Sequence, residues 1–221
     1  MLFRSVEELS PEDREAIFEA MDSERAADAL SEVDPDIQAS ILESLETEKA
    51  ADILEEMSPD AAADALAELE DETSQEILDE MESAPKSDVR ELMEFDEDTA
   101  GGMMNTEYVA LSSAARVHDA FAALRGNQEL LETLNTLFLV DSDGRLAGAV
   151  PIARLFAGGH DQPLTELAAD SPIQVNVDAR EKEVTELFDK YNLLCLPVTD
   201  ADGTLTGVIT ADDVITVLRQ R

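Results

Sequence analysis

Large apolar side chains recur in pairs along the first third of the chain, three residues apart within a pair and twelve from one pair to the next: Val6/Leu9, Phe18/Met21, Leu30/Val33, Leu42/Leu45, Leu54/Met57, Leu66/Leu69 and Leu78/Met81. The letters around them repeat as well, with A-A-D-A-L-S-E-V-D-P-D-I from Ala26, A-A-D-I-L-E-E-M-S-P-D-A from Ala50 and A-A-D-A-L-A-E-L-E-D-E-T from Ala62. Apolar residues spaced three, four and one apart, as in Ile53, Leu54 and Met57, mark one face of a two-turn helix. Helices this short are unstable alone, because nucleation costs more than their few bonds return. Units that cannot bury their own apolar face must stack, so residues 2–85 are expected to form a superhelix of short helices, of either hand. The connectors Asp22-Ser23, Asp34-Pro35-Asp36, Ser58-Pro59-Asp60 and Asp71-Glu72-Thr73 offer Ser or Asp caps, Pro at the first helical position and acids at the positive end of the helix dipole. Residues 86–95 are expected to form a last helix with its apolar spacing slipped to Val89, Leu92 and Met93.

After Phe95 the pattern changes. D-E-D-T-A-G-G-M-M from Asp96 carries a helix-breaking glycine pair, and strands and helices then alternate. Thr106–Leu111, Thr136–Val140 and Arg145–Val150 are strand-like, Ala114–Arg125 is helical, and D-S-D-G from Asp141 is a turn. A second copy follows at an offset of 59 residues, L-F-L-V-D-S-D-G-R-L-A-G-A-V against L-P-V-T-D-A-D-G-T-L-T-G-V-I, superposing Asp143/Asp202, Gly144/Gly203, Leu146/Leu205 and Gly148/Gly207. Neither copy is long enough for a convincing core alone, so the two are expected to pack as a pseudo-twofold pair. The fold class is therefore α plus α/β, with boundaries expected at 1–95, 96–169 and 170–221.

Charge sharpens the division. Residues 1–100 hold 34 Asp and Glu against six Lys and Arg, a net of −28 within the chain's −37. Such a surface repels phosphate backbones and anionic lipid, which disfavours nucleic acid and direct membrane-surface binding and makes cations the natural partners. Four Lys against eleven Arg, with abundant Ala, Asp and Glu, also suit adaptation to a salt-rich host, which would explain the acidity but not the repeat. The single Cys195, in the apolar stretch L-L-C-L-P, excludes a disulfide within one chain and fits a reducing cytoplasm. No basic segment followed by an apolar stretch opens the sequence, and no run approaches the ~18 apolar residues of a membrane span, so a soluble chain is expected.

The β-α-β-β-α tandem with its D-x-D-G-x-L-x-G turns resembles a pair of cystathionine-β-synthase-type (CBS) domains, and the clearest piece is G-V-I-T-A-D-D-V from Gly207. That resemblance implies a ribose-reading corner at Thr210 and Asp213, for ATP or another adenine nucleotide. An acidic superhelix joined through E-D-T-A-G-G-M-M to a CBS pair resembles the cytosolic part of the MgtE family of magnesium channels. The resemblance implies a cytoplasmic module at the cytosolic face of the cell membrane, dimeric through its CBS domains. Mg2+ would bridge acids of the superhelix to acids of the CBS pair, closing a pore domain in the same or a partner polypeptide. Such a chain is either an excised fragment or a freestanding relative.

Physical chemistry makes the expected sensor simple. Mg2+ prefers oxygen ligands at about 2.0–2.1 Å and keeps several waters, so one or two carboxylates from each side suffice. Asp60 and Asp64, four residues apart on one helical face, are the candidates on the superhelix; helix capping for Asp60 and a solvated face for Asp64 are the plainer readings. Asp213 matches an acid the family uses at the CBS end, with Asp212 beside it; ribose binding or a helix-start role competes there. Asp96, Glu97 and Asp98 at the junction form a third group. Other family positions are missing: Arg180, Lys182 and Asn192 stand where acids are frequent, which removes metal ligands from the CBS side. In the first copy Pro151 and Arg154 replace the hydroxyl and acid of the ribose corner, so Arg154 could at most meet phosphate.

His118 and His160 lack a Cys or His partner at ligand spacing, so no zinc site is expected. Gly158-Gly159 lacks the Lys-Ser/Thr of a phosphate loop and is expected to precede a helix at Leu164–Ala169. Met103, Met104 and Cys195 are expected to pack in the core. With no nucleophile in a recognisable setting, a non-catalytic module is expected. A nucleotide-sensing CBS pair and a protein-docking solenoid remain the alternatives.

Overall fold

A computed structural model describes residues 6, 9–127, 129–132, 134–169 and 172–219; the start of the expected superhelix at residues 1–5, 7 and 8 lies outside the described residues. The chain divides into two compact units, Met1–Glu94 and Phe95–Arg221.

The first unit is a string of short helices: α1 (Pro11–Ala20), α2 (Ser23–Leu30), α3 (Pro35–Ser44), α4 (Thr47–Glu55), α5 (Pro59–Ala67), α6 (Asp71–Glu80) and α7 (Ser83–Leu92). Each packs on the helix two places further along. The repeat explains the close approach: the alanine pairs Ala26-Ala27, Ala50-Ala51 and Ala62-Ala63 are all buried, as are Leu30, Leu42, Leu54, Leu66 and Leu78 at the fifth place of the unit. Their neighbours Val33, Leu45, Met57, Leu69 and Met81 are buried too, whereas Leu9 and Met21 are only half-buried.

Caps follow the sequence in part. Ser10, Asp22 and Asp34 each accept a backbone N–H of the following helix. Ser58 occupies the cap position of α5 but its hydroxyl makes no cap bond, and α6 is preceded by Glu70, which places Asp71 and Glu72 inside its first turn. Two ends are capped from a distance instead. Glu19 of α1 accepts the Glu46 N–H before α4 at 3.1 Å, and Glu55 of α4 accepts the Glu82 N–H before α7. That second bond fixes the start of α7 earlier than the sequence suggests, and Pro85 is tolerated because first-turn N–H groups have no intrahelical partner. Val89 and Leu92 are buried, whereas Met93 is exposed.

The second unit contains β1 (Ala110–Ser112), α8 (Val117–Gly126), β2 (Thr136–Val140), β3 (Leu146–Pro151), α9 (Ile152–Leu155), β4 (Val175–Asn176), α10 (Glu181–Tyr191), β5 (Cys195–Thr199), β6 (Leu205–Thr210) and α11 (Ala211–Arg219). Two three-stranded sheets, β1-β2-β3 and β4-β5-β6, share one topology: a parallel first pair and an antiparallel second. The helix begins at Val117 rather than Ala114, because Asp119 reaches back to the Arg116 N–H at 2.8 Å and sets the start there. Leu164–Glu166 is a single 3-10 turn rather than the expected helix. Leu137, Leu139, Val150, Leu155 and Leu164 form the core of the first copy with Val117 and Ala120 of α8.

The two copies meet through their D-x-D-G turns. Gly144 and Gly203 take φ of 81° and 83°, a region that suits glycine. Leu146 N–H donates to Gly203 O at 3.0 Å and Leu205 N–H donates to Gly144 O at 3.1 Å, the reciprocal bonds of a twofold pair. The segment after Phe95 docks on the second copy: Ala100 and Gly101 donate to Ala179 and Val177, and Asn105 pairs with Val208. A side chain at Gly102 would lie 2.5 Å from the Asp96 carbonyl, so the glycine there answers to a tight turn. Met103 and Met104 are buried.

Candidate metal and nucleotide sites

At the β6–α11 junction the carboxylate of Asp213 accepts both the backbone N–H and the hydroxyl of Thr210, each at 2.7 Å. Asp212 Oδ1 also lies 2.7 Å from that hydroxyl. One hydroxyl proton serves one carboxylate oxygen at a time, so the corner sets the carboxylates of Asp212 and Asp213 side by side around a single hydroxyl. Asp212 is exposed and Asp213 half-buried. The adjacent Cys195 thiol is pushed up to about 12 by burial and then by the charge of Asp213, which keeps it a neutral, packed side chain.

Asp60 lies half-buried in the first turn of α5, and Asp64, one turn on, is exposed. Asp64 shares its place in the repeat with Asp28 and Asp52, which are exposed as well, so the A-A-D motif puts its alanines inside and its acid in solvent. Glu97 and Asp98 are exposed, and the Asp98 carbonyl accepts the Glu181 N–H at 3.0 Å.

Three departures from the expected acids have local reasons. Asn192 closes α10 with φ 51°, a left-handed conformation that Asn tolerates better than most residues. Arg180 precedes α10 and pairs with Thr99. Arg154 does not wait for phosphate; its guanidinium donates to the Leu167 carbonyl at 2.8 Å and the Ala168 carbonyl at 3.3 Å.

The sequence missed one cluster. His118 and His160, distant along the chain, stack with ring centroids 4.9 Å apart and planes at 16°. Asp161 joins them, its carboxyl held below the usual range first by its bond to His160 and then by the charges of His160, His118 and Arg116. No spacing in the sequence signals this, because the contact depends on how the loop after α9 returns to the start of α8.

The MgtE intracellular N domain family matches residues 2–98, and the CBS domain family matches residues 164–220. The crystal structure of the cytosolic domain of the Mg2+ channel MgtE in complex with ATP is similar over 98% of this chain and 88% of that one, with a TM-score of 0.92 and 32% identity. The chain belongs to the MgtE family. A crystal structure of the soluble part of a magnesium transporter covers 99% of the chain with a TM-score of 0.90 and 26% identity. Among curated relatives, the magnesium transporter MgtE of Thermus thermophilus is 33% identical over 133 residues, and that of Enterococcus faecalis 29% over 136. These matches take in 60% and 62% of the chain but only 30% of each relative's length. Among the described residues no helix is long and apolar enough to cross a membrane. Over nearly its whole length the chain is similar to the cytosolic domain of an MgtE channel, and its second unit carries a CBS pair.

Proposed function

We propose that the chain is a non-catalytic, magnesium-sensing regulatory module that gates a magnesium channel or transporter. In this reading Mg2+ neutralises carboxylates of the acidic helical unit and of the CBS pair, drawing the units together at high cytosolic magnesium and releasing them when it falls. The observation that carries the proposal is the Thr210 corner, where two carboxylate oxygens compete for one hydroxyl. Mg2+ suits it, since this ion needs few protein oxygens and keeps its waters. The supporting charge lies on the other unit, whose exposed acids include Asp28, Asp52 and Asp64. Asp60, Asp64, Glu97, Asp98, Asp212 and Asp213 are the proposed ligands. The output is a membrane pore domain in the same or a partner polypeptide, at the cytosolic face of the membrane. Exposed Tyr191, Leu194, Ile215 and Leu218 on the second unit support pairing of two copies through their CBS domains.

Small-angle scattering and calorimetry on the full chain at constant ionic strength test this. Saturable Mg2+ uptake with compaction in the millimolar range is expected, weakened in D212N and D213N. Absence of both uptake and compaction sinks the proposal. A second reading has its own support: the same Thr210 and Asp213 could hold an adenine nucleotide, and the similar cytosolic domain was crystallised with ATP. A thermal shift with ATP that exceeds the shift with Mg2+ would favour nucleotide sensing.

A further inference from the structure

The His118, His160 and Asp161 cluster lies apart from the Thr210 corner in the fold, at the start of α8 and in the loop after α9. Its backbone is held from both sides. Val117 N–H donates to Gln162 O at 3.0 Å, His118 N–H to His160 O at 3.1 Å and Leu164 N–H to Ala115 O at 3.0 Å. Arg116 pairs with Pro163 across the same seam, and its guanidinium donates to the Asp161 carbonyl. The loop has no slack at Gly158, where a Cβ would sit 2.9 Å from Leu167 and 3.0 Å from Val117.

The side chains converge on this frame. One ring nitrogen of each histidine and a carboxylate oxygen of Asp161 all lie within 4.8 Å of one another. Asp161 Oδ1 is 3.2 Å from His160 Nδ1 and 3.6 Å from His118 Nδ1. Ligand atoms about 2.0–2.2 Å from a tetrahedral metal stand about 3.3–3.6 Å apart, so these separations already approximate two edges of such a site. A second observation concerns His118 alone. Its Nδ1 faces the His160 carbonyl at 3.1 Å, while its Nε2 faces Asp119 Oδ1 at 3.4 Å. A neutral imidazole has one N–H, so it donates either from Nδ1 to the His160 carbonyl or from Nε2 to Asp119, not both. With a metal ion at Nδ1 the single N–H stands on Nε2, and Asp119 is placed as the carboxylate that orients a metal-bound histidine. Asp119 is itself anchored through Oδ2, which accepts the Arg116 N–H at 2.8 Å.

We infer that His118, His160 and Asp161 form a binding site for a borderline transition-metal ion of the Zn2+ class, with water completing the coordination. Two imidazoles and one carboxylate suit Zn2+, whereas Mg2+ prefers an all-oxygen shell. The site is separate from the proposed magnesium ligands, and it ties the loop after α9 to the start of α8. A second divalent input would thereby act on the first CBS copy.

The test is calorimetric titration of the full chain with ZnCl2 in a large excess of MgCl2, which occupies the many carboxylates. One saturable Zn2+ equivalent per chain is expected, and Co2+ in its place is expected to give the visible absorption of a low-coordinate nitrogen and oxygen site. H118A and H160A each weaken uptake at least about tenfold. His118 is partly and His160 largely exposed, so these variants are expected to keep the wild-type melting curve. Uptake that ignores both substitutions, or no saturable uptake, overturns the inference. D212N is expected to leave Zn2+ uptake unchanged while weakening Mg2+ uptake, so each proposal can fail without the other.

Discussion

Single carboxylates do most of the local ordering in this chain. Asp141 accepts the N–H groups of Asp143 and Arg145, and Asp200, 59 residues on, accepts those of Asp202 and Thr204. These backbone bonds are the leading reason that both carboxyls titrate below the ordinary 3.8. Because the folded value lies below the unfolded one, the contribution to stability is present above about pH 4 and is lost as the pH falls through the lower, folded value. D141N and D200N keep an acceptor oxygen but do not titrate, so their acid unfolding in circular dichroism should be less steep than that of the parent below pH 4. An unchanged acid limb in the double variant would show that the turns do not couple to folding. The sequence aligned the third letter of D-x-D-G between copies; the structure shows that the first acid closes each turn. The glycine with positive φ was legible in both copies, since the turn demands it.

At the scale of the helix, the twelve-residue period was readable because one buried stripe per unit leaves a period in the letters. Leu54, 1% exposed, stands at its centre. Leu54→Ala should cost about 2–5 kcal/mol in a denaturant melt of the first unit, whereas Asp52→Ala, on the exposed face of the same helix, should stay within about 0.5 kcal/mol. Equal costs would mean that the stripe is not what holds the unit. Less visible in the sequence were contacts made between helices three places apart. Glu19 and Glu55 read as two more solvated acids, yet each serves the backbone of a remote helix start. The same blindness hid the histidine cluster and the bonds of Arg154 to backbone carbonyls, for each needs a loop to return before its partner exists. At the proposed metal sites, the resemblance to CBS domains pointed to Thr210 and Asp213, and the structure joins these two by 2.7 Å bonds. Asp64 is a different matter, since Asp28 and Asp52 share its repeat position and its exposure.

Across the whole molecule the dominant fact is a formal charge of −37. Exposed like charges repel over a Debye length of about 10 Å at 0.1 M salt, so monovalent salt alone should raise the melting temperature of the chain. A melting temperature that stays flat between about 0.02 and 1 M NaCl would show that self-repulsion is not limiting. If NaCl reproduced every effect of MgCl2 at matched ionic strength, the acids would serve general charge screening and not a magnesium response. The stacking of helices two apart has a further consequence for how such a chain can lengthen or shorten over evolution. Adjacent repeats occupy alternate columns, so loss or gain of a single unit would exchange every downstream helix between columns. Duplication or deletion of units in twos would leave each helix on its own column, and natural variants of different length should therefore differ by even numbers of repeats.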